Sequence, residues 1–103
     1  MPVFPNNVSL RQLRAFDEVA RQGAFAPAAR ELCLTQSALS ESIRQLEEAL
    51  GLRLFDRTTR TVGLTAAGQA FLQDVRQAFE TLEQGFQNLG DLAALRRGKV
   101  RIA

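Results

Sequence analysis

Apolar residues recur at helical spacing along most of this chain of 103 residues. Between positions 35 and 50 they are spaced 4, 3 and 4, the period of a helix with one buried face: Leu39, Ile43, Leu46 and Leu50. The opposite face is polar and carries Ser37, Glu41, Arg44 and Glu48, with Gln36 and Ser40 on its flank. Thr35 can cap such a helix and Gly51 can end it. The pattern predicts a helix whose first turns expose short polar side chains.

Two shorter helices are predicted before this segment. Ser9 opens the first, because Gln12 three residues later completes an S-x-x-Q capping box, and Gly23 follows its last turn. Its expected buried face is Leu10, Leu13, Phe16, Val19 and Ala20, and its expected outer face is Arg11, Arg14, Asp17, Glu18 and Arg21. The second runs from Phe25 to Leu32, with Pro27 tolerated in its first turn.

The segment 33–35 is long enough only for a tight turn, so residues 25 to 50 form a helix, a turn and a helix. That arrangement resembles the helix-turn-helix, whose second helix reads DNA. An ordinary surface helix of a small bundle is the alternative for 36–50. Cys33 lies between apolar neighbours and is expected to be a small core residue.

Residues 52–64 predict a β-hairpin, or wing. Apolar positions flank a polar tip of sequence RTTR at 57–60: Leu52, Leu54, Val62 and Leu64. Arginine and threonine in a hairpin tip can reach phosphates or enter a minor groove. A solvated loop is the alternative. Three arginines directly after a helix-turn-helix favour DNA contact: Arg53, Arg57 and Arg60.

A long helix is predicted next, capped by Thr65 and running from Ala66 to between Leu92 and Leu95. One apolar stripe covers it at spacings of three or four: Phe71, Val75, Ala78, Leu82, Phe86, Leu89 and Ala93. At 1.5 Å per residue it extends for roughly 40 Å, more than the small domain can cover. We therefore expect a second copy of the chain to cover it, with packing along its own domain as the alternative. Gly90 is expected to end the regular helix early.

The two ends of the chain differ in character from its middle. Residues 1–8 contain Pro2 and Pro5 and are predicted to be a flexible lead-in. Residues 96–103, RRGKVRIA, end in a strand-like alternation that has nothing to pair with. We expect them to be a hinge into a further domain that is missing here.

Composition narrows the function classes. Twelve of the 13 basic residues are Arg, which suits bidentate contacts with phosphate and guanine, although a GC-rich genome explains the bias equally well. His and Tyr are absent and Cys33 is the only cysteine, so a zinc site and a His-based catalytic pair are excluded. The adjacent carboxylates Glu47 and Glu48 do not face each other on a helix and are expected to be solvated. An enzyme is not expected.

Localisation follows from what the sequence lacks. It contains no apolar run of about 18 residues and no export signal. We expect no membrane association and a cytoplasmic location.

Three ordered blocks resemble the N-terminal DNA-binding domain of LysR-type transcriptional regulators: LRQLRAFDEVARQGAF, AARELCLTQSALSESIRQLEEALGLRLFDR and LTAAGQAFL. The resemblance implies a mainly α fold, a winged helix-turn-helix over 9–66 (three helices and a two-stranded wing) followed by a linker dimerisation helix over 66–95. It also implies a bacterial regulator that binds an inverted repeat in a promoter as a dimer, usually a tetramer in the full-length protein. A small-molecule effector would bind in a domain that follows, and no cofactor is expected in these residues.

The resemblance also assigns site residues. In the helix-turn-helix the DNA contacts fall on Thr35, Gln36, Ser37, Ala38, Ser40 and Glu41, and in the wing on Arg57, Thr58 and Arg60, with Thr65 at the cap of the linker helix. Arg44 is predicted to contact phosphate. Gln36 is the strongest candidate for reading a base, because its amide can pair bidentately with adenine. The predicted dimer interface is Phe71, Val75, Ala78, Leu82, Phe86 and Leu89.

The chain departs from the family pattern at a few positions. Many members carry Pro where this chain has Ser37 and Ala38, and Arg where it has Glu41. Glu41 can accept a hydrogen bond from cytosine N4 or act as a repulsive group that rejects wrong sites. Ala24 stands where a capping Ser or Thr is common. The competing function is a helical dimerisation module that binds protein and no DNA.

Overall fold

The computed structural model describes residues 7–57 and 61–98. In that part the elements are, in chain order, α1 (Leu10–Gln22), α2 (Phe25–Glu31), α3 (Gln36–Leu50), β1 (Phe55–Asp56), β2 (Gly63–Leu64) and α4 (Ala66–Arg96). The predicted lead-in up to residue 6, the wing tip at 58–60 and the predicted hinge beyond residue 98 lie outside the described residues.

The predicted helix boundaries are confirmed by their caps. The Ser9 hydroxyl accepts from the Gln12 N–H at 3.2 Å, and the Gln12 side chain accepts from the Ser9 N–H at 3.1 Å. Gly23 and Gly51 take left-handed conformations, with φ of 73° and 70°, at the ends of α1 and α3. These local signals set the bounds of α1 and α3 within the chain.

The core lies where α1, α2 and α3 meet the wing and the first turns of α4. Phe16 of α1 is fully buried at its centre. Its ring centroid lies 5.4 Å from that of Phe55 in β1 and 5.6 Å from that of Phe71 in α4. One aromatic side chain therefore joins the helical bundle, the wing and the long helix.

The expected faces of α1 are wrong at three positions. Leu10 is 55% exposed, whereas Asp17 and Glu18 are buried. Asp17 can be buried because its carboxylate accepts from Arg21 at 3.0 Å and from Arg76 of α4 at 2.8 Å. Glu18 accepts from the side chain of Gln22 at 2.8 Å. The packing of α4 covers this side of α1.

Cys33 lies at the surface, so its predicted core position is wrong. It adopts a left-handed conformation with φ of 58°, and its side chain is exposed. The chain reverses direction here, and the next N–H, of Leu34, donates to the Ala29 carbonyl at 2.9 Å. The backbone of the turn, rather than the polarity of its neighbours, decides where this side chain lies.

The wing is anchored to the start of α4. Its two strands pair antiparallel in the register Phe55 with Leu64 and Asp56 with Gly63. The Thr65 hydroxyl donates to the Arg53 carbonyl at 2.7 Å and accepts from the Gly68 N–H at 3.0 Å. The predicted hairpin and the predicted cap of the long helix are thus confirmed together.

The long helix α4 is continuous over 31 residues and passes through Gly90, so the expectation that this glycine ends it early is wrong. Its inner part packs on its own domain, with Val75 only 3% exposed in the core. The predicted placing of Val75 in a dimer interface is therefore at odds with its burial. The outer part is uncovered, with Phe86 68% and Leu89 64% exposed. Within the described ranges no helix is long and apolar enough to cross a membrane.

Candidate nucleic-acid interface

The first turns of α3 present the side chains that the sequence predicts. Five of the assigned side chains are exposed and Ser40 is half-buried; the exposed ones are Gln36, Ser37, Ala38, Glu41 and Arg44. This face can be exposed because the opposite one is fully buried at Leu39, Ile43 and Leu46. The core thus fixes the direction in which the polar face points.

A shallow depression joins α3 to the base of the wing. It is lined by five residues of α3 and one from the wing: Gln36, Ser37, Ser40, Glu41, Arg44 and Arg57. The structure therefore brings Arg57 next to the predicted reading face, although 21 positions separate Arg57 from Gln36 along the chain. This depression is called the α3–wing depression below.

The N-terminal end of α3 is arranged for an anion. The Thr35 hydroxyl accepts from the Ala38 N–H at 3.0 Å and so caps the helix. The N–H groups of Gln36 and Ser37 have no acceptor within the helix, because no helical carbonyl lies four residues before them. Free N–H groups and the positive end of the helix dipole favour a phosphate at this position.

Glu41 and Arg44 form an ion pair on the exposed face of α3. Arg44 Nε donates to Glu41 Oε1 at 3.0 Å, and Gln45 Nε2 donates to Glu41 Oε2 at 3.2 Å. The hydrogen bond from Arg44 lowers the pKa of Glu41 below its ordinary value, and the Glu41 carboxylate in turn raises the pKa of Arg44. Arg44 also reaches Glu48 at 3.4 Å. Both charges of the pair are thus present at neutral pH and largely compensate each other.

Glu47 is buried, so the prediction that it is solvated is wrong. Its side chain is 7% exposed, and its Oε2 accepts from the N–H groups of Leu54 at 2.8 Å and Phe55 at 3.2 Å. Its Oε1 lies 3.4 Å from Arg57 Nη2 and 3.6 Å from Arg53 Nε. The burial of Glu47 could have been predicted from a helical wheel, because Glu47 lies only about 40° around α3 from Ile43, which was predicted to be buried.

Arg57 is held between Glu47 and an aromatic ring. Its guanidinium lies over the ring of Phe25, 5.1 Å from the centroid, while Nη2 donates to Glu47. About a third of its side chain is exposed, 35%, against 65% for Arg53. Arg57 therefore has a contact on each side of its guanidinium at the edge of the α3–wing depression.

Three further residues were predicted to contact DNA, namely Thr58, Arg60 and Thr65. Thr58 and Arg60 lie outside the described residues. The Thr65 hydroxyl is engaged by the Arg53 carbonyl and the Gly68 N–H, so it fixes the start of α4. Among residues 7–57 and 61–98 no group of three or more His, Cys, Asp or Glu side chains is placed to hold a metal ion.

Comparison with known proteins identifies relatives over most of the chain. Residues 10–69 match the model of the family described as bacterial regulatory helix-turn-helix protein, lysR family. The chain is 43% identical to the RuBisCO operon transcriptional regulator of Allochromatium vinosum, over 94% of this chain and 32% of that protein. It is 48% identical to an HTH-type transcriptional regulator of Sinorhizobium fredii, over 79% of this chain and 27% of that protein.

A solved structure is similar in both fold and sequence. It is the crystal structure of the BenM DNA-binding domain in complex with catB site 1 DNA, with a TM-score of 0.81 and 35% identity over 84% of this chain and 96% of that chain. The predicted winged helix-turn-helix fold is confirmed by this likeness. The chain spans about a third of the length of the curated relatives it matches.

Proposed function

The chain belongs to the lysR family of bacterial regulatory helix-turn-helix proteins, and we propose that it binds double-stranded DNA sequence-specifically as a transcriptional regulator. The observation that carries the proposal is the α3–wing depression, in which the exposed polar end of α3 and the guanidinium of Arg57 share one surface. Side chains that read bases and a group that binds phosphate are both needed by a sequence-specific protein, and here they lie together.

In this proposal α3 enters the major groove with its N-terminal end first. Gln36, at the first helical position, pairs with adenine N6 and N7 through its amide. Ser37 and Ser40 donate to or accept from neighbouring base edges or phosphates, and Ala38 contacts a thymine methyl. The N-terminal end of α3, capped by Thr35, lies against a backbone phosphate.

Glu41 and Arg44 act as a pair rather than as two independent contacts. Because Arg44 is bound to Glu41 and Glu48 in the free protein, it binds phosphate only where DNA replaces part of that network. Glu41 faces the groove as a fixed carboxylate, which accepts from cytosine N4 and repels a guanine edge. The pair therefore adds selectivity more than affinity.

The wing and α4 complete the proposed assembly. Arg57, together with Thr58 and Arg60, contacts the flanking backbone or minor groove, while Thr65 holds the start of α4 against the wing. Two copies of the chain associate through the outer part of α4, where three exposed residues lie within about 60° of one another around the helix and form an uncovered apolar surface: Leu82, Phe86 and Leu89. Two α3 helices in one dimer then reach half-sites about 34 Å apart, or a multiple of that, on an inverted repeat.

The remaining parts of the proposal concern the whole regulator. A tetramer, and a small-molecule effector bound outside these 103 residues, agree with the greater length of the relatives. The regulator meets its promoter in the bacterial cytoplasm, and no catalytic activity is assigned to it. The alternative, a dimerisation module that binds no DNA, leaves the α3–wing depression without a role.

The proposal is tested by selection from a pool of duplexes that carry a randomised segment, with affinity measured at several salt concentrations. We expect an inverted repeat to be enriched and log affinity to fall linearly with log salt, at about 0.9 per phosphate neutralised. Without enrichment and with affinity independent of salt, the proposal is overturned and the dimerisation module is supported.

A further inference from the structure

The two carboxylate oxygens of Glu47 serve different partners. Oε2 accepts two backbone N–H groups at the start of the wing, from Leu54 and Phe55. Oε1 faces two guanidinium groups, of Arg57 at 3.4 Å and Arg53 at 3.6 Å. The two hydrogen bonds to Oε2 fix the wing backbone to α3, and any acceptor of this shape would make them. The contacts of Oε1 with the two guanidinium groups need the negative charge.

The charge is aimed at a side chain that borders the proposed DNA-binding surface. Arg57 lies between Glu47 and the ring of Phe25, at the edge of the α3–wing depression. An exposed arginine must lose rotamer freedom when it binds a phosphate, and that loss weakens binding. Arg57 has lost much of it already in the free protein. Its planar guanidinium carries five N–H donors, so contact with a carboxylate through Nη2 is compatible with a phosphate on another edge.

We propose that Glu47 is a positioning residue for DNA binding: its buried carboxylate, with Phe25, holds Arg57 beside α3 so that the guanidinium meets the phosphate next to the bases that α3 reads. The inference rests on the proposed function and deepens it. It turns an acidic residue, which by its charge alone repels DNA, into one that strengthens DNA binding.

The sign of this effect makes it testable with Glu47→Gln. Glutamine keeps an oxygen for the Leu54 and Phe55 N–H groups but presents no charge to Arg57. By Coulomb's law alone, removal of a negative charge near phosphates increases affinity for DNA. We expect the opposite, a loss of about fivefold, which lies in the range of partly buried charge pairs. Fluorescence anisotropy on the unselected pool and on a selected duplex measures it, and a circular dichroism melt measures stability beside it.

Glu48→Gln is the matched control, because Glu48 is the neighbouring residue on α3 and the same charge is removed from an exposed side chain. Because Glu48 also reaches Arg44, a small rise in affinity is expected from it, the sign opposite to that expected for Glu47→Gln. A double-mutant cycle measures how much of the effect of Glu47→Gln depends on Arg57. In an Arg57→Ala background, Glu47→Gln is expected to change affinity by less than about twofold. Wild-type and Glu47→Gln proteins should also differ in salt slope by up to about 0.9 per protomer.

Each outcome decides the inference. Affinity that rises in Glu47→Gln as in Glu48→Gln, or a lowered melting temperature with unchanged affinity of the folded protein, overturns it. If Glu47→Gln does not fold, Phe25→Leu is the second variant, because it removes the ring beneath Arg57 and keeps apolar bulk. It is expected to lower affinity for DNA as Glu47→Gln would, and to have no such effect in the Arg57→Ala background. Unchanged affinity in Phe25→Leu overturns the inference. If the wild-type chain shows no salt-dependent binding, the proposed function itself fails. That result is distinct from failure of the inference, because the inference is judged only by comparing variants with a wild-type chain that binds DNA.

Discussion

Gln36 is the residue whose proposed role is most specific, since its amide is exposed at the first position of α3. Replacement by Ala in Gln36→Ala removes both the donor and the acceptor of a bidentate contact with adenine. We expect preference at one position of each half-site to relax by about 1–3 kcal/mol, while affinity for random duplex changes little. Repeating the duplex selection with the variant measures this change position by position.

The control for Gln36 is Gln73→Ala, the same chemical change at an exposed position of α4 away from the α3–wing depression. It should reproduce the wild-type selected sequence. If Gln36→Ala weakens binding to selected and random duplexes equally, Gln36 contacts the backbone and reads no base.

Glu41 carries the second prediction at this scale. In Glu41→Gln one of the two charged partners of Arg44 is lost and only Glu48 remains, so the guanidinium is freer to bind phosphate, and a carboxylate is removed from the groove-facing side. We expect affinity for all duplexes to rise about threefold and discrimination among bases to fall. Anisotropy titrations against selected and random duplexes give both quantities.

Glu48→Gln separates the two effects in the Glu41 prediction, because Glu48 also reaches Arg44 but is 73% exposed and farther from the N-terminal end of α3. A smaller gain with intact discrimination is expected from it. Unchanged base preference in Glu41→Gln would show that Glu41 restrains Arg44 and selects no base.

Two of the residues whose burial was predicted wrongly, Asp17 and Glu47, share a physical cause. The Asp17 carboxylate can be buried because Arg76, 59 positions away, donates a hydrogen bond to it. The Glu47 carboxylate can be buried because N–H groups of the wing, outside α3, donate to it. A helical period describes one element, whereas the burial of a charge depends on what another element donates to it. Cys33 fails for a different reason, because a left-handed backbone conformation sets its direction. The exposed set on α3 was predictable, since the buried Leu39 and Ile43 alone determine the opposite face.

At the scale of elements, helix ends were more predictable than the wing. Caps depend on contacts within three or four residues, so Ser9 and Thr35 could be identified from sequence. Within the described part of the wing, which omits residues 58–60, only two residues of each predicted strand pair as strand. One reason is that the Leu54 N–H donates to Glu47 of α3 rather than to a neighbouring strand. The hairpin was correctly placed, but its length depends on a tertiary contact.

The junction between the wing and α4 yields a prediction about stability. A Cβ at Gly68 would lie 2.2 Å from the Leu54 carbonyl oxygen and 3.0 Å from the Leu64 side chain. Gly68→Ala must therefore displace the base of the wing from α4. We expect a loss of about 1–3 kcal/mol in the free energy of unfolding, measured by urea denaturation.

Gly85→Ala is the matched control for Gly68, because Gly85 is also inside α4 and a Cβ there meets nothing within 4 Å. The same substitution should here stabilise the chain by about 0.5–1 kcal/mol through helix propensity. Equal effects at the two glycines would show that the close approach of α4 to the wing does not constrain the fold.

At the scale of the whole molecule, α4 divides into a part that belongs to the domain and a part that projects from it. The apolar period from Phe71 to Ala93 is uniform, so the sequence alone could not locate this division. The structure places it after Val75, which is buried, and before Phe86, which is exposed. Burial depends on how far α1 extends along α4, a property of tertiary packing. The prediction of a dimer interface accordingly concerns the outer residues Leu82, Phe86 and Leu89.

Phe86→Glu tests whether a second copy covers this outer surface. Phe86 is 68% exposed, so a charge there costs the isolated chain little, whereas in a dimer it would be buried without a partner and disfavour association. We expect the variant to sediment as a monomer at concentrations at which the wild-type chain is a dimer. A monomer binds one half-site at a time, so its affinity for a duplex with two half-sites should fall at least about tenfold, with binding to a single half-site retained.

Gln84→Glu adds the same charge two positions away, about 200° around the helix from Phe86, and should leave both sedimentation and DNA binding as in the wild type. The two readouts together distinguish the possible roles of the surface. A monomeric Phe86→Glu with unchanged affinity for the two-site duplex would mean that DNA binding does not depend on this association. A variant that remains dimeric would place the interface elsewhere on the chain, and the long apolar face of α4 would then have to serve a different partner.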